Sequence, residues 1–537
     1  MYGYARTATV VVVHLAFTCV LLGYIADTAM PFYVHRKHSN YPPGVNDASS
    51  FTTAVHRWDR WPLFLVSNKE AYAAQLAQHH HATSASDVVA LNARVVWRSS
   101  VFHLTLAVIT YVLLTYCITA PYGRHAGFTG GRLRLPSRVS WMLQESPTIF
   151  QVLYHVLLEY PRVMGHSPSL SSPWFSFSAN LRAAGVADTN PSMGVCQSYW
   201  GCVRVACTQQ HLGLLLFVIH YIHRSWFYPL SIPASAHRVP LLVTSTATLY
   251  CLFNGRLQVL ASAGAAVDVC ATGATAQSPA CSAAHVPSMS FLRCWRQRYE
   301  LESPRASSLE AIAVDVGWCL LLGFYVVGVC GGLALFFFGA RVNMQSDYYL
   351  VGLRGDGKKK SNDDVKEPVA SSSEARLVGG APLPSWTKFS GIVKNHTSGS
   401  GYRIPVGGWF DSVSCANFFG ELIEWTGYAM VVTATSATCD GNCRSVTTAL
   451  DEEVLRSLSS SSSFWSLMNV MMWIRLTARV FFSAAASRSA ALAAFSFLVY
   501  VFSNLAPRAA AHHAWYAKTF GERYTKLRRK ALLPGVY

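Results

Sequence analysis

The chain has 537 residues, of which 51% are hydrophobic and only 13% charged, and it carries a formal net charge of +17. The apolar residues come in blocks near bilayer length, which excludes an ordinary soluble multidomain protein; the positive charge is then weighed as membrane topology before nucleic-acid binding. In chain order the blocks lie at 8–26, 101–120, 212–230, 239–260, 316–340, 415–434 and 489–506, with a weaker one at 145–160. They predict an all-α polytopic membrane protein: a seven-helix transmembrane bundle core, an extra N-terminal signal-anchor helix and long polar loop insertions. The first block follows a single arginine and is not followed cleanly by a small-x-small cleavage site, so it reads as an anchor rather than a removed signal peptide. Residues 1–100 are then an N-terminal extension, 101–340 the substrate-side helices, and 341–537 a cofactor-binding region with insertions at 355–400 and 435–483. The stretches 27–100, 355–400 and 435–463 are polar with little periodicity, and the run Lys358 to Lys360 reads as a solvated loop. Segment 464–482, with Arg475 and Arg479 one turn apart, suits a helix lying in the interface.

Lys and Arg collect at 124–138, around 354–403 and in the tail (Arg508, Lys518, Arg523, Lys526, Arg528, Arg529, Lys530), which puts these segments and the C-terminus in the cytosol. The basic residues Arg36, Lys37, Arg57 and Arg60 oppose that assignment at the N-terminus, where the loop is long enough to weaken the charge rule. Cysteines support it. The intervening loops 161–208, 261–311 and 435–463 become lumenal and hold Cys196, Cys202, Cys207, Cys270, Cys281, Cys294, Cys439 and Cys443, in a compartment that permits disulfides. The pair in CDGNC (Cys439, Cys443) has no second ligand pair nearby, so a disulfide or free thiols are expected there and no metal. The sequon at Asn395 faces the cytosol on this topology and stays bare.

Several apolar segments carry polar stripes at helical spacing. Asn417, Glu421, Glu424 and Tyr428 fall on one face, as do Asn343, Asp347 and Arg354, then Arg508, His512 and Tyr516, and also Tyr221, Arg224 and Tyr228. Each stripe alone has a plain reading as helix-end snorkelling or interhelical hydrogen bonding. Three of them are expected to converge on one membrane face with the loop GYRIPVGG, where Arg354, Arg403, Arg508 and Arg238 would make an anion-binding mouth. A nucleotide cofactor fits that mix. No strand followed by GxGxxG occurs, so its site must lie between helices.

The pieces APYGRH (120–125), RLPSRVSWMLQE (134–145), VIHYIHR (218–224), NGRLQ (254–258), NMQSDYYLVGLR (343–354), GYRIPVGGWFDSVSCANFFGELIEW (401–425) and HHAWY (512–516) resemble the steroid 5α-reductases, over a core of about 101–537. The resemblance implies an enzyme of the endoplasmic reticulum membrane that uses NADPH to reduce the double bond of a lipophilic 3-oxo-Δ4 steroid. Carried over by motif, Asn343, Asp347, Arg354, Tyr402, Arg403, Asn417, Glu421, His512 and Tyr516 would line the cofactor, with Arg224, Arg238 and Arg508 as companions. Tyr221 and Glu145 would face the 3-oxo group. Hydride attack at carbon 5 pushes charge onto that oxygen, which Tyr221 would stabilise as a donor, with Glu145 tuning it or sharing the carbonyl as a neutral acid. Two departures stand out: Gln345 occupies a position where the family has histidine, and the 355–400 insertion separates Arg354 from Tyr402. Closing a loop of that length adds only about 1 kcal/mol of entropy.

Relatives on the same scaffold reduce polyprenols or enoyl thioesters, and the contexts of Glu145 and Tyr221 favour the steroid branch. From other classes, a membrane methyltransferase could also build a cofactor site from helix ends and a basic tail. A non-catalytic scaffold is disfavoured, because unused buried charge is costly.

Overall fold

A computed structural model of the chain describes residues 85–118, 133–154, 212–234, 236–275, 322–355, 403–436 and 485–537. These residues are mostly helical. Helix α1 spans Ala85–Val112, α2 Ser137–Tyr154, α3 Leu212–Ile222, α4 Tyr228–Ser231, α5 Leu241–Thr275, α6 Gly332–Gly355, α7 Ala416–Thr435, α8 Ala485–Phe520 and α9 Glu522–Thr525. A two-stranded antiparallel ribbon pairs β1 (Arg134–Leu135) with β2 (Val239–Pro240). Among the described residues three helical stretches are long and apolar enough to cross a bilayer: Val96–Cys117, Leu322–Leu353 and Arg488–Phe520. The anchor expected at 8–26, the 355–400 insertion beyond Gly355, the segment 464–482 and the CDGNC pair lie outside the described residues.

Helix boundaries depart from the apolar blocks in an informative way. α1 starts within the stretch read as a polar extension, since Ala93 and Val96 sit three apart and both turn into the core. α8 runs past the end of its block and through Pro507, carried by the alanine-rich RAAAHHAWYA, whose residues favour helix strongly enough to tolerate one missing donor. α6 likewise continues past residue 340 and carries Asn343 and Asp347 with it.

Two kinds of contact set the lateral order of the helices. α2 lies against α5 on a ladder of short polar groups: Ser140 Oγ and Thr244 Oγ1 are 2.7 Å apart, Thr248 Oγ1 donates to the Leu143 carbonyl at 3.1 Å, and Thr148 Oγ1 donates to that of Cys251 at 3.4 Å. The β1–β2 ribbon clips the starts of the same two helices together, with the Leu241 amide donating to the Leu133 carbonyl at 3.0 Å. α6 and α7 instead meet backbone to backbone. Gly332 and Gly339 on α6, and Gly420 and Gly427 on α7, repeat at seven-residue steps; a Cβ at Gly339 would stand 2.6 Å from the Gly420 carbonyl oxygen, and one at Gly420 2.8 Å from that of Gly339. Small residues are the means by which membrane helices approach this closely.

The core between α3, α5, α7 and α8 is aromatic. Trp425 is 1% exposed and packs at 4.4 Å from the His220 ring and 4.5 Å from Phe497. On the other side of α8, the buried His103 of α1 hydrogen-bonds Ser496 and Tyr250, each at 3.1 Å, and so ties α1, α5 and α8 together. At the chain's end the tail folds back on the 403–415 loop. The Ser414 amide donates to the Lys530 carbonyl at 2.8 Å, the Lys530 amide donates to that of Ser412 at 3.0 Å, and Arg529 donates to that of Pro405.

Candidate functional site

The polar stripes of α3, α6 and α7 meet in one buried network. After α3 the helix widens into a π turn, His223–Phe227, a local distortion often found at functional sites. Arg224 lies in this turn. Its guanidinium donates to Asp347 on α6, stands 4.0 Å from Glu421 on α7, and lies over the rings of Trp141 (4.6 Å) and Tyr228 (4.8 Å). Asn417 Nδ2 donates to the other oxygen of Asp347 at 2.9 Å. One turn deeper, Glu424 accepts from His220 Nδ1 at 2.7 Å and from Asn343 Nδ2 at 3.5 Å. Buried carboxylates are tolerable only with such partners.

Next to this network stands the pair expected to meet a carbonyl. Tyr221 is 4% exposed; its hydroxyl lies within electrostatic reach of Cys251, Glu145 and Glu421 and within hydrogen-bonding reach of the Asn254 amide. Glu145, half-buried on α2, accepts a weak hydrogen bond from the Cys251 thiol at 3.6 Å and lies within electrostatic reach of Arg224, His220 and Glu421. The α2–α5 ladder, whose Leu143 and Thr148 rungs flank Glu145, holds the acid in this place. Two regions distant in sequence thus deliver a carboxyl, from α2, and a phenol and a guanidinium, from the end of α3 and the turn after it, to one interior.

The site also contains polar atoms with nothing to bind. Among the described residues, Asn343 Oδ1, Ser346 Oγ, Asn254 Nδ2 and Trp425 Nε1 are buried without a hydrogen-bond partner. An acceptor and a hydroxyl on α6, the first on the network's own Asn343 and the second one residue before Asp347, are what a carboxamide such as that of nicotinamide requires; the residues fit the group.

The remaining expected residues fall in three places. Arg508 and His512 on α8 face Phe418 of α7, with the guanidinium 4.9 Å over the ring and the imidazole centroid 6.0 Å away, so a second stripe does flank α7 at the level of Asn417. Tyr516 is buried in a different cluster, stacked at 5.2 Å on Tyr524 beside Ile404, where it helps fasten the tail to the loop. Arg403 is half-buried at the start of that loop, and Arg238 is exposed beside the ribbon. Arg354 lies on α6 with its side chain outside the described part, and Tyr402 is outside the described residues. Sequence reasoning missed His220, Trp141, Asn254 and Gln258. His220 stands one helical turn before Arg224, a spacing that could have found it; no local signal tells Trp141 to stack on an arginine of another helix.

Comparison with known proteins bears on what this interior serves. Residues 391–439 and 468–537 match the model of the 3-oxo-5-alpha-steroid 4-dehydrogenase family. The chain is 24% identical over 436 residues to steroid 5-alpha-reductase DET2 of Arabidopsis thaliana, covering 80% of this chain and 91% of that one. It is 23% identical over 416 residues to 3-oxo-5-alpha-steroid 4-dehydrogenase 1 of Macaca fascicularis, covering 78% and 84%, and 23% identical over 416 residues to the Homo sapiens protein of the same name, covering 78% and 86%. The resemblance to the steroid 5α-reductases therefore extends over most of the chain at low identity.

Proposed function

We propose that the protein is an NADPH-dependent membrane reductase of the carbon–carbon double bond in 3-oxo-Δ4 steroids, residing in the endoplasmic reticulum membrane. The observation that carries this reading is the placement of the buried Tyr221 and the half-buried Glu145 beside an acid–amide network whose Asn343 and Ser346 atoms lack partners. NADPH bound against α6 and α7 would supply the hydride. Asn343 and Ser346 would hold the nicotinamide carboxamide, and Asp347, Asn417 and Glu421 would line the walls around it. Arg508 and His512, with Arg354, Tyr402 and Arg403, would serve the nucleotide's phosphates and sugars. Arg224 acts as the counter-ion of Asp347 and Glu421, because both sides of its guanidinium are already engaged.

On the substrate side, Tyr221 donates its proton-bearing hydroxyl to the 3-oxo oxygen as negative charge gathers there during reduction. Glu145 stands against the same oxygen as a neutral acid, oriented by the Cys251 thiol. The aromatic walls of Phe217, Trp425 and Tyr428 exclude water, which strengthens each of these interactions. The test is product identification by mass after membranes carrying the protein are given NADPH and, separately, progesterone, a polyprenol and an enoyl-CoA. A 5α-reduced 3-oxosteroid is expected. Reduction of the polyprenol or thioester alone would overturn the steroid assignment, and loss of turnover to any substrate would overturn the reductase.

A further inference from the structure

A chain of hydrogen bonds runs along α5 from α7 toward the Tyr221 hydroxyl. Tyr428 donates to Gln258 Oε1 at 2.9 Å. Gln258 Nε2 in turn donates to the Ala493 carbonyl at 3.2 Å and to Asn254 Oδ1, also at 3.2 Å. A backbone carbonyl only accepts, so the contact with Ala493 fixes which end of the Gln258 amide is nitrogen. That choice fixes the next one. Asn254 must present its oxygen to Gln258 and therefore aims its nitrogen away, where Nδ2 has no well-formed hydrogen bond although the side chain is 0% exposed. One turn before it on the same helix stands Cys251, which touches Glu145, and the Tyr221 hydroxyl of α3 lies within side-chain hydrogen-bonding reach of the Asn254 amide.

We propose that Asn254 is a positioning residue for Tyr221: its Nδ2 donates to the Tyr221 oxygen, so that the tyrosine's own proton is left for an acceptor in the substrate pocket. A phenol has one proton and accepts through its oxygen. Occupying that oxygen from α5 sets the direction of the O–H bond, and donation into it makes the phenol a stronger donor; the chain from Tyr428 through Gln258 polarises the amide in the same sense. The proposal rests on the functional reading of Tyr221 given above.

Single-turnover reduction of progesterone with saturating NADPH tests it, in the full-length protein in detergent, alongside NADPH affinity and thermal midpoint. Asn254→Leu, or Asn254→Ala if the leucine is not accommodated, is expected to slow the hydride step roughly tenfold while the NADPH Kd stays within about twofold. In a Tyr221→Phe background the same substitution should change the rate less than about twofold, because the oxygen it served is gone. A full tenfold loss persisting in that background would overturn the proposal, as would a wild-type hydride rate accompanied only by a lower thermal midpoint, which assigns Asn254 to packing. A wild-type rate for Tyr221→Phe by itself would instead overturn the role of Tyr221, and the inference about Asn254 would fall with it.

Discussion

Glu421 and Glu424 stand one turn apart on the same stripe, yet their surroundings give them different work. Glu424 has a side chain 2% exposed and is bonded to both His220 and Asn343, whereas Glu421 is 17% exposed and has a 4.0 Å contact with Arg224. Glu424→Leu should therefore cost about 3–5 kcal/mol of stability, as expected when one partner of a buried pair is removed, and a thermal melt in detergent reads it. Glu421→Gln should melt near wild type while weakening NADPH binding; an early-melting Glu421→Gln protein would assign this acid to the fold. Tyr221→Phe keeps the ring and removes only the hydroxyl, so the single-turnover rate should fall about a hundred- to a thousandfold, with NADPH affinity unmoved. An unchanged rate with progesterone would remove Tyr221 from the chemistry. The stripes themselves were legible from spacing alone, because a helix repeats its face every three or four residues. Their partners were not: Asn417 turns to α6, Glu421 to the turn after α3, and Tyr428 to Gln258 on α5, choices that depend on which helix stands opposite.

At the scale of elements, the pairing of α6 with α7 decides whether the site exists. Asn343 can reach Glu424, and Asn417 can reach Asp347, only because four glycines let the two backbones touch. Gly339→Ala puts a methyl into the α7 backbone and should destabilise by at least the about 1–3 kcal/mol usual for overpacking, with loss of NADPH binding as the helices part. Gly352 on the same helix has open space where a Cβ would go, so Gly352→Ala should leave binding intact and gain up to about 1 kcal/mol from helix propensity. Equal effects of the two substitutions, read by NADPH titration and melting, would show that helix approach does not control the site. The tail is a second such device: Lys530 pairs with Ser412 and Ser414, and Tyr524 stacks on Tyr516, so residues 403–415 are held from the far end of the chain. Tyr516 was expected beside a cofactor for its place in HHAWY; the structure adds a fastening role, visible only once the tail is seen to fold back.

For the molecule as a whole, the distribution of basic residues predicts that protease added to sealed microsomes cleaves within 355–400 and spares Cys270 and Cys281. Glycan addition at Asn395 in cells would reverse that sidedness. Among the described residues Cys117, Cys251 and Cys330 are in no disulfide, and the eight cysteines expected in the lumen have no described side chains, so the protection assay is also the test of the cysteine argument. The amino-acid sequence by itself determined that the chain belongs in a membrane, that its segments are helical, and which faces carry polar groups. It could do so because a bilayer forces each segment to satisfy its backbone locally, which writes length, apolarity and helical period into contiguous residues. Only the tertiary structure decided that Arg224 serves Asp347 and Glu421, that Glu145 rests on Cys251, and that the Asn254 amide stands near the Tyr221 hydroxyl. Those pairings join helices far apart in the chain and are selected by glycine contacts, polar ladders and a folded-back tail, which act between helices and leave no periodic mark within any one of them.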